Sequence, residues 1–397
     1  MIPIRLNRYE LAGSLGDLGV LLPMAAGLIM VNGMAPQRLF LGVGLFYIAA
    51  GLYFRTTVPV QPMKVISSMA IAMALPKEQI FVAGLLMGVM LLIIGLTGTM
   101  ARLARYIPRP VVRGVQLSTG LLLMAQGARF AMGTSSFQIA NHAAEPFLAV
   151  QTLGPVPLNW LLAAVAFVAT FFLLDSRKVP AALVVVAFGV ATGIILSNGG
   201  GEPFEEASAL PAFLPEGLPS LATFSTALFV LALPQLPMTL GNAVVANADL
   251  AQELFGKDAV KTTNRSLCLS MGLANIGSFL IGGMPMCHGA GGLATHYRFG
   301  ARSSGSNLFI GVVFAGLALL LGEQSGVIAR MIPMSVLGVL LFFGGGQLAL
   351  TVQDMKERSD LFVCLSIAAV TLASNLALGY VVGAAIHWAL KSGRVQV

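Results

Sequence analysis

The chain has 397 residues, of which 57% are hydrophobic and only 10% charged, and its mean hydropathy is +0.86. A soluble domain carries about 25% charged residues, so this composition excludes a soluble fold and defines a polytopic membrane protein. The apolar runs lack the period-two alternation of barrel strands, so the spans are helices. The net charge of +7 does not indicate nucleic-acid binding: the basic residues sit at span ends, and no basic patch with interleaved aromatics occurs.

Residues 1–10 lack the short apolar core and small-residue exit of a cleavable signal, so the first span is expected to stay in the protein. That span, 9–31, holds Asp17 at membrane depth, and a second follows at 36–54. The third, 58–75, is interrupted by Pro59 and Pro62 and is too short to cross as a plain helix. A fourth runs over 78–100, then a basic loop with Arg102, Arg105, Arg109 and Arg113 leads into a fifth from Pro108 to Gly133. A polar loop with Asn141, His142 and Glu145 precedes spans at 157–174 and 179–197. Residues 198–219, rich in glycine, glutamate and proline, read as a surface linker.

The second half repeats the pattern, with spans at 221–246, 263–281, 284–297, 305–322, 333–352, 359–374 and 376–391. Its third member, the tenth span overall at 284–297, overlaps the stretch from Gly282 to Thr295, which lies deep in apolar sequence yet is broken by Pro285 and five glycines. Such a break is tolerated at membrane depth only where it is buried in protein or lines a cavity. A helix restarting near Cys287 and His288 would aim free N–H groups and partial positive charge at its surroundings, which suits an anion. Paired interrupted spans in corresponding halves point to a transporter's binding site.

The halves correspond in detail. Ser14-Leu-Gly-Asp17 matches Thr239-Leu-Gly-Asn242, and Ile107-Pro108 matches Ile332-Pro333, both at an offset of 225; Pro59 and Pro285 are offset by 226. Seven spans per half is odd, so the halves are expected to lie in opposite orientations. With the N-terminus inside, all but five of the 23 Lys and Arg residues fall on cytoplasmic segments; Arg38, Lys77, Arg129 and Arg330 are outside and Lys64 is at the break. The expected architecture is all-α, with 14 spans as a 7+7 inverted repeat: 1–197, the external linker 198–219, and 220–397. Both termini are expected to be cytoplasmic.

Glu10-Leu-Ala-Gly-Ser-Leu-Gly-Asp-Leu-Gly19, Pro59-Val-Gln-Pro-Met-Lys64, Leu233-Pro-Gln-Leu-Pro-Met-Thr-Leu-Gly-Asn242 and Pro285-Met-Cys-His-Gly-Ala-Gly-Gly-Leu-Ala294 resemble the molybdate-transporter family, related to the sulfate permeases. Arg298-Phe-Gly-Ala-Arg302 matches as well, and the resemblance runs over nearly the whole chain. It implies the fold first known from a uracil permease. A core domain (1–101 plus 220–322) would carry substrate against a gate domain (102–197 plus 323–397), with broken helices 3 and 10 meeting head to head at mid-membrane. Many sulfate permeases add a C-terminal regulatory domain; after the last span only a few residues remain to Val397, so that regulation is expected to be absent or supplied elsewhere.

The implied substrate is molybdate, with sulfate next, both tetrahedral dianions. Two helix N-termini, each about half a positive charge, would offset much of the cost of taking such an ion out of water. The expected ligands are Cys287, His288, Gly289 and Ala290 on the span 10 side and Gln61, Met63 and Lys64 on the span 3 side. Lys64 would set a cation beside the anion, or snorkel to an interface as a packing residue. His288 would donate to the oxyanion or carry a proton, or sit neutral and backbone-bonded. Asp17 repels an anion and is expected to act in coupling or in support of the ligands, with Ser14; Gln235, Thr239 and Asn242 would hydrogen-bond the anion or join helices.

Organic-anion or nucleobase carriage is the lesser alternative, because the carboxylate that nucleobase carriers of this fold use in span 8 is replaced here by Gln235 and Asn242. A membrane enzyme is disfavoured, since no histidine cluster or second carboxylate accompanies Asp17. No metal site or cofactor is expected from Cys268, Cys287 and Cys364. No ATP-binding loop is present, leaving proton symport, sodium symport or uniport. A homodimer through the gate domain is compatible with the resemblance. The expected location is the cell or inner membrane.

Overall fold

The computed structural model describes residues 3–100, 102, 103, 108–174, 176, 179–197 and 219–393. The expected linker up to residue 218 lies outside the described residues, as do Arg105, Ile107, Asp175, Arg177, Lys178 and Arg394. Five described helices are long and apolar enough to cross a bilayer: Pro36–Phe54, Lys77–Thr97, Leu221–Ala259, Gly305–Met331 and Met334–Asp354. A bent pair, Arg8–Leu15 and Leu18–Met30, makes a further crossing if taken as one span. Shorter apolar helices include Lys64–Met73, Leu158–Leu173, Ala181–Leu196 and Leu376–Lys391. Phe172, Ile195, Leu221 and Leu320 are among the most exposed apolar side chains; such a surface is stable against lipid, not water.

The first span is not the continuous helix expected from its hydropathy. It breaks at Gly16–Asp17 and turns by 45°. Glycine weakens the helix there, and the Asp17 carboxylate is drawn instead to Gln61. The eighth span is also altered. Pro234 and Pro237 would each remove a backbone donor and crowd the preceding turn. The helix absorbs them in a short α segment, Leu233–Met238, flanked by two π-helical stretches, Ala227–Ala232 and Thr239–Val245.

Two short antiparallel strands lie at the centre. Gln61 pairs with Cys287 and Pro62 with Met286, and the Met63 N–H donates to the Pro285 carbonyl at 2.9 Å. Prolines on both segments forbid helix, and pairing the segments satisfies backbone groups that have no water at this depth. Each strand then restarts as a half-helix, Lys64–Met73 and Ala290–Arg298. Ten residues of helix cover about 15 Å, half of a hydrocarbon core of about 30 Å.

Two buried glutamates brace helix starts far away in sequence. Glu10 accepts from the N–H groups of Arg302, Ser303 and Ser306 at 2.9–3.2 Å. Glu145, read from sequence as part of a polar loop, is buried and accepts from Met334 and Ser335 N–H at 2.7 and 2.9 Å. Each carboxylate meets the positive end of a helix.

Candidate functional site

The tips of the two half-helices are satisfied differently. At Lys64–Met73, Gln235 Oε1 accepts from the N–H groups of Val65 and Ile66 at 2.9 and 3.2 Å, while its Nε2 donates to Thr239 Oγ at 2.8 Å. Gln235 and Thr239, buried on the proline-bearing helix, therefore cap the first half-helix. Replacing Gln235 by leucine keeps the volume but orphans two buried donors. The expected cost is about 1–2 kcal/mol, read as a lower melting temperature of the purified protein; an unchanged melting temperature would remove this cap from the account.

The second half-helix has Gly289 as N-cap and no side-chain cap. The N–H groups of Gly292 and Leu293 turn back to the Gly289 carbonyl, which leaves those of Ala290 and Gly291 at the open tip. Asp17 packs against this turn. It is 3% exposed, accepts a short hydrogen bond from Gln61 Nε2, and has the Tyr47 hydroxyl 3.5 Å from Oδ2. A Cβ placed on Gly292 would fall 2.9 Å from Asp17 Oδ2 and 2.7 Å from both Gln61 Nε2 and Pro59 Cβ.

In front of these tips lies a cavity of about 400 Å³, a size normal for small-molecule sites. Of the residues singled out in the sequence, Asp17, Gln61, Lys64 and Asn242 line it. Lys64, the first residue of its half-helix, makes no ion pair among the described residues. The opposite wall comes from Arg113, Gln116, Gln347 and Thr351, with Gly291 and Thr295 beside the second tip. Arg113 is fixed: it pairs with Asp354, which also binds Arg109 at 2.7 Å, and donates to Gln116 Oε1 at 2.7 Å. Thr351 donates to the same Gln116 oxygen at 3.0 Å. A second cavity of about 470 Å³ shares Arg113 and Asn242 as wall.

The opposite wall was missed in the sequence, where Arg109 and Arg113 read as loop charges. The available signal was polar residues at helical spacing on apolar helices: 113 and 116 on one, 347 and 351 on the other.

The other expected ligands are not among the residues that line the cavity. Met63 and Cys287 are buried at the strand crossing, and Cys287 Sγ faces the Pro62 carbonyl at 3.9 Å. His288 is enclosed by Phe46 and Phe54, with ring centroids at 4.6 and 5.7 Å. Its Nδ1 lies 2.8 Å from the Pro59 carbonyl and its Nε2 3.0 Å from Ser270 Oγ. Nδ1–H therefore donates to Pro59, and Nε2 accepts from the serine. Gly289 presses against the Gln61 amide, and Ala290 forms the first turn of the second half-helix. Ser14 Oγ donates to the Leu11 carbonyl at 2.7 Å and lies outside the cavity lining. Among the described residues no group of three or more His, Cys, Asp or Glu could hold a metal ion, and all three cysteines are free and buried.

A cavity fronting two half-helices that start from paired strands is the architecture of a helical membrane transporter. The transmembrane domain of the cyanobacterial bicarbonate transporter BicA superposes with a TM-score of 0.65 at 19% identity, covering 97% of this chain and 98% of that one. The murine anion transporter Slc26a9 in its inward-facing state gives 0.69 at 13% identity, over 100% of this chain and 70% of that one. The chain belongs to the molybdate transporter family: the model described as "Molybdate transporter of MFS superfamily" matches residues 9–123 and 227–348. Molybdate transporter 2 of Arabidopsis thaliana is 33% identical over 96% of this chain and 87% of its own length. Molybdate transporter 1 of Chlamydomonas reinhardtii is 28% identical over 96% of this chain and 90% of its own. The family and these relatives are transporters, not enzymes.

Proposed function

We propose that the protein carries molybdate across the cell or inner membrane as a secondary transporter, holding the dianion in the 400 Å³ cavity between the two half-helix tips. The observation that carries this reading is the uncapped tip of Ala290–Arg298 beside the same cavity as Lys64, which forms no ion pair among the described residues. One supplies oriented N–H groups and the other a full positive charge, and together they suit a tetrahedral oxyanion. Asn242, Gln61 and Gly291 complete the near wall, and Gln116, Gln347 and Thr351 offer hydrogen bonds from the far wall. Gln235, Thr239, Met63, Cys287 and His288 hold the two tips in register.

The reading includes 14 spans in a 7+7 inverted repeat, with both termini cytoplasmic. The core domain (1–101 plus 220–322) moves the cavity past the gate domain (102–197 plus 323–397). The correspondence of the two strand-and-half-helix units and the distribution of Lys and Arg support it. Sulfate is the alternative substrate, favoured by 24% identity to the putative sulfate transporter YvdB of Bacillus subtilis over 77% of this chain. Proteoliposomes with the purified protein should accumulate radiolabelled molybdate, with tungstate and sulfate competing in that order. Equal competition by an uncharged nucleobase, or no accumulation, would overturn the reading.

A further inference from the structure

The Gln61 side chain is 1% exposed, and its two ends have unequal fates. Nε2 donates to Asp17 Oδ1. Oε1 has no hydrogen-bond partner, and it presses against Gly289, the N-cap of the second half-helix, with the Asn242 amide close by. The buried carbonyl oxygen therefore sits beside the tip where an anion is to bind, and it presents negative charge to that place. Ionised Asp17 enforces the arrangement, because a carboxylate only accepts hydrogen bonds and so fixes which end of the amide must face it.

We infer that Gln61 is a proton-controlled amide switch that couples the charge of Asp17 to oxyanion binding at the second half-helix. When Asp17 takes up a proton, its O–H becomes a donor. The Gln61 amide then rotates by half a turn within the same volume, its oxygen accepts from Asp17, and its NH₂ faces the Gly289 tip. One proton thus removes a negative charge, replaces a repelling carbonyl by a donor, and satisfies the orphaned oxygen. Gln61 acts as a positioning residue for the anion rather than as a passive ligand.

The groups facing Asp17 are the Tyr47 hydroxyl on Pro36–Phe54, Gln61 ahead of the first half-helix, Lys64 on that half-helix, and the first turn of Ala290–Arg298. Arg113 lies on the same cavity but is engaged by Asp354, and His296 stacks behind Tyr47 with its Nδ1 bound to Thr57.

This inference rests on the anion-site reading, and the experiment separates the two. Molybdate affinity of the purified full chain is measured by equilibrium binding from mildly acidic to mildly alkaline pH, where the anion itself stays doubly charged. If one proton enters with the anion, wild-type affinity falls by up to about tenfold per pH unit as pH rises. Asp17→Asn, whose amide can donate to Gln61 permanently, should bind with an affinity that is flat over the same range. Gln61→Met should bind more weakly than wild type at mildly acidic pH, where it lacks the amide donor, and no more weakly at mildly alkaline pH, where it lacks the repelling carbonyl, so its slope is shallower than that of wild type. Flat wild-type affinity overturns the switch without any variant, as does an Asp17→Asn protein that keeps the wild-type slope or a Gln61→Met protein that keeps both slope and affinity. Absence of molybdate binding at every pH overturns the anion-site reading and the switch with it.

Discussion

Lys64→Ala should lower molybdate affinity about thirtyfold or more while leaving membrane insertion intact. Lys64 lines the cavity, begins the first half-helix and forms no ion pair among the described residues. The tip behind it is already capped by Gln235, so the lysine is the main positive charge offered from that side. Removing one partner of a desolvated charge pair costs upwards of about 2 kcal/mol, or roughly thirtyfold in binding. The loss should be larger than for a neutral cavity residue, because the alanine variant also leaves Asp17 without its nearby cation. Lys64→Arg should recover part of the affinity, since the charge is kept but the ammonium's compact shape is not. Scintillation-proximity binding on purified protein measures both; alanine and wild type binding alike would take Lys64 out of the site.

Gly292→Ala should abolish transport, whereas Gly291→Ala should fold normally and lose affinity only in proportion to the room it takes. The two glycines are neighbours on the same turn with opposite surroundings. A Cβ at 292 meets Pro59, Gln61 and Asp17 at 2.7–2.9 Å, and the proline ring cannot rotate away. The half-helix must shift from the strand crossing, at a typical overpacking cost of about 1–3 kcal/mol, and the Asp17–Gln61 hydrogen bond is disturbed. At 291 a Cβ meets nothing within 4 Å and enters the cavity. Uptake of less than about a tenth of wild type is expected for Gly292→Ala, with surface expression as the control. Normal uptake by that variant would mean that the turn does not need its present contacts.

The parts of this fold that were legible in sequence are those written in backbone-restricting residues. Pro59 and Pro62, then Pro285, announced two interrupted spans, and the structure pairs the interruptions and restarts a helix after each. Lys64, Gln61 and Asn242 stood out because polar groups are rare at that depth. What stayed hidden depends on contacts between distant segments. Gln235 caps a turn 170 residues away, and Glu10 and Glu145 brace helix starts 293 and 190 residues away. Nothing local marks a glutamine as a cap for another helix. The fracture at Gly16–Asp17 was hidden because leucine-rich hydropathy runs straight across it. His288 shows the reverse: its position in the motif drew attention, while its two ring partners come from other segments and turn it away from the cavity.

A doubly charged cargo held in the cavity walled by Lys64 and Asn242 has an electrical consequence. An elementary charge crossing roughly 100 mV gains or loses about 2.3 kcal/mol, and a dianion twice that. With an inside-negative potential, inward movement of the bare ion is uphill, and a single accompanying proton cancels only half of that penalty. Uptake should therefore slow as the vesicle interior is made more negative with a potassium–valinomycin clamp.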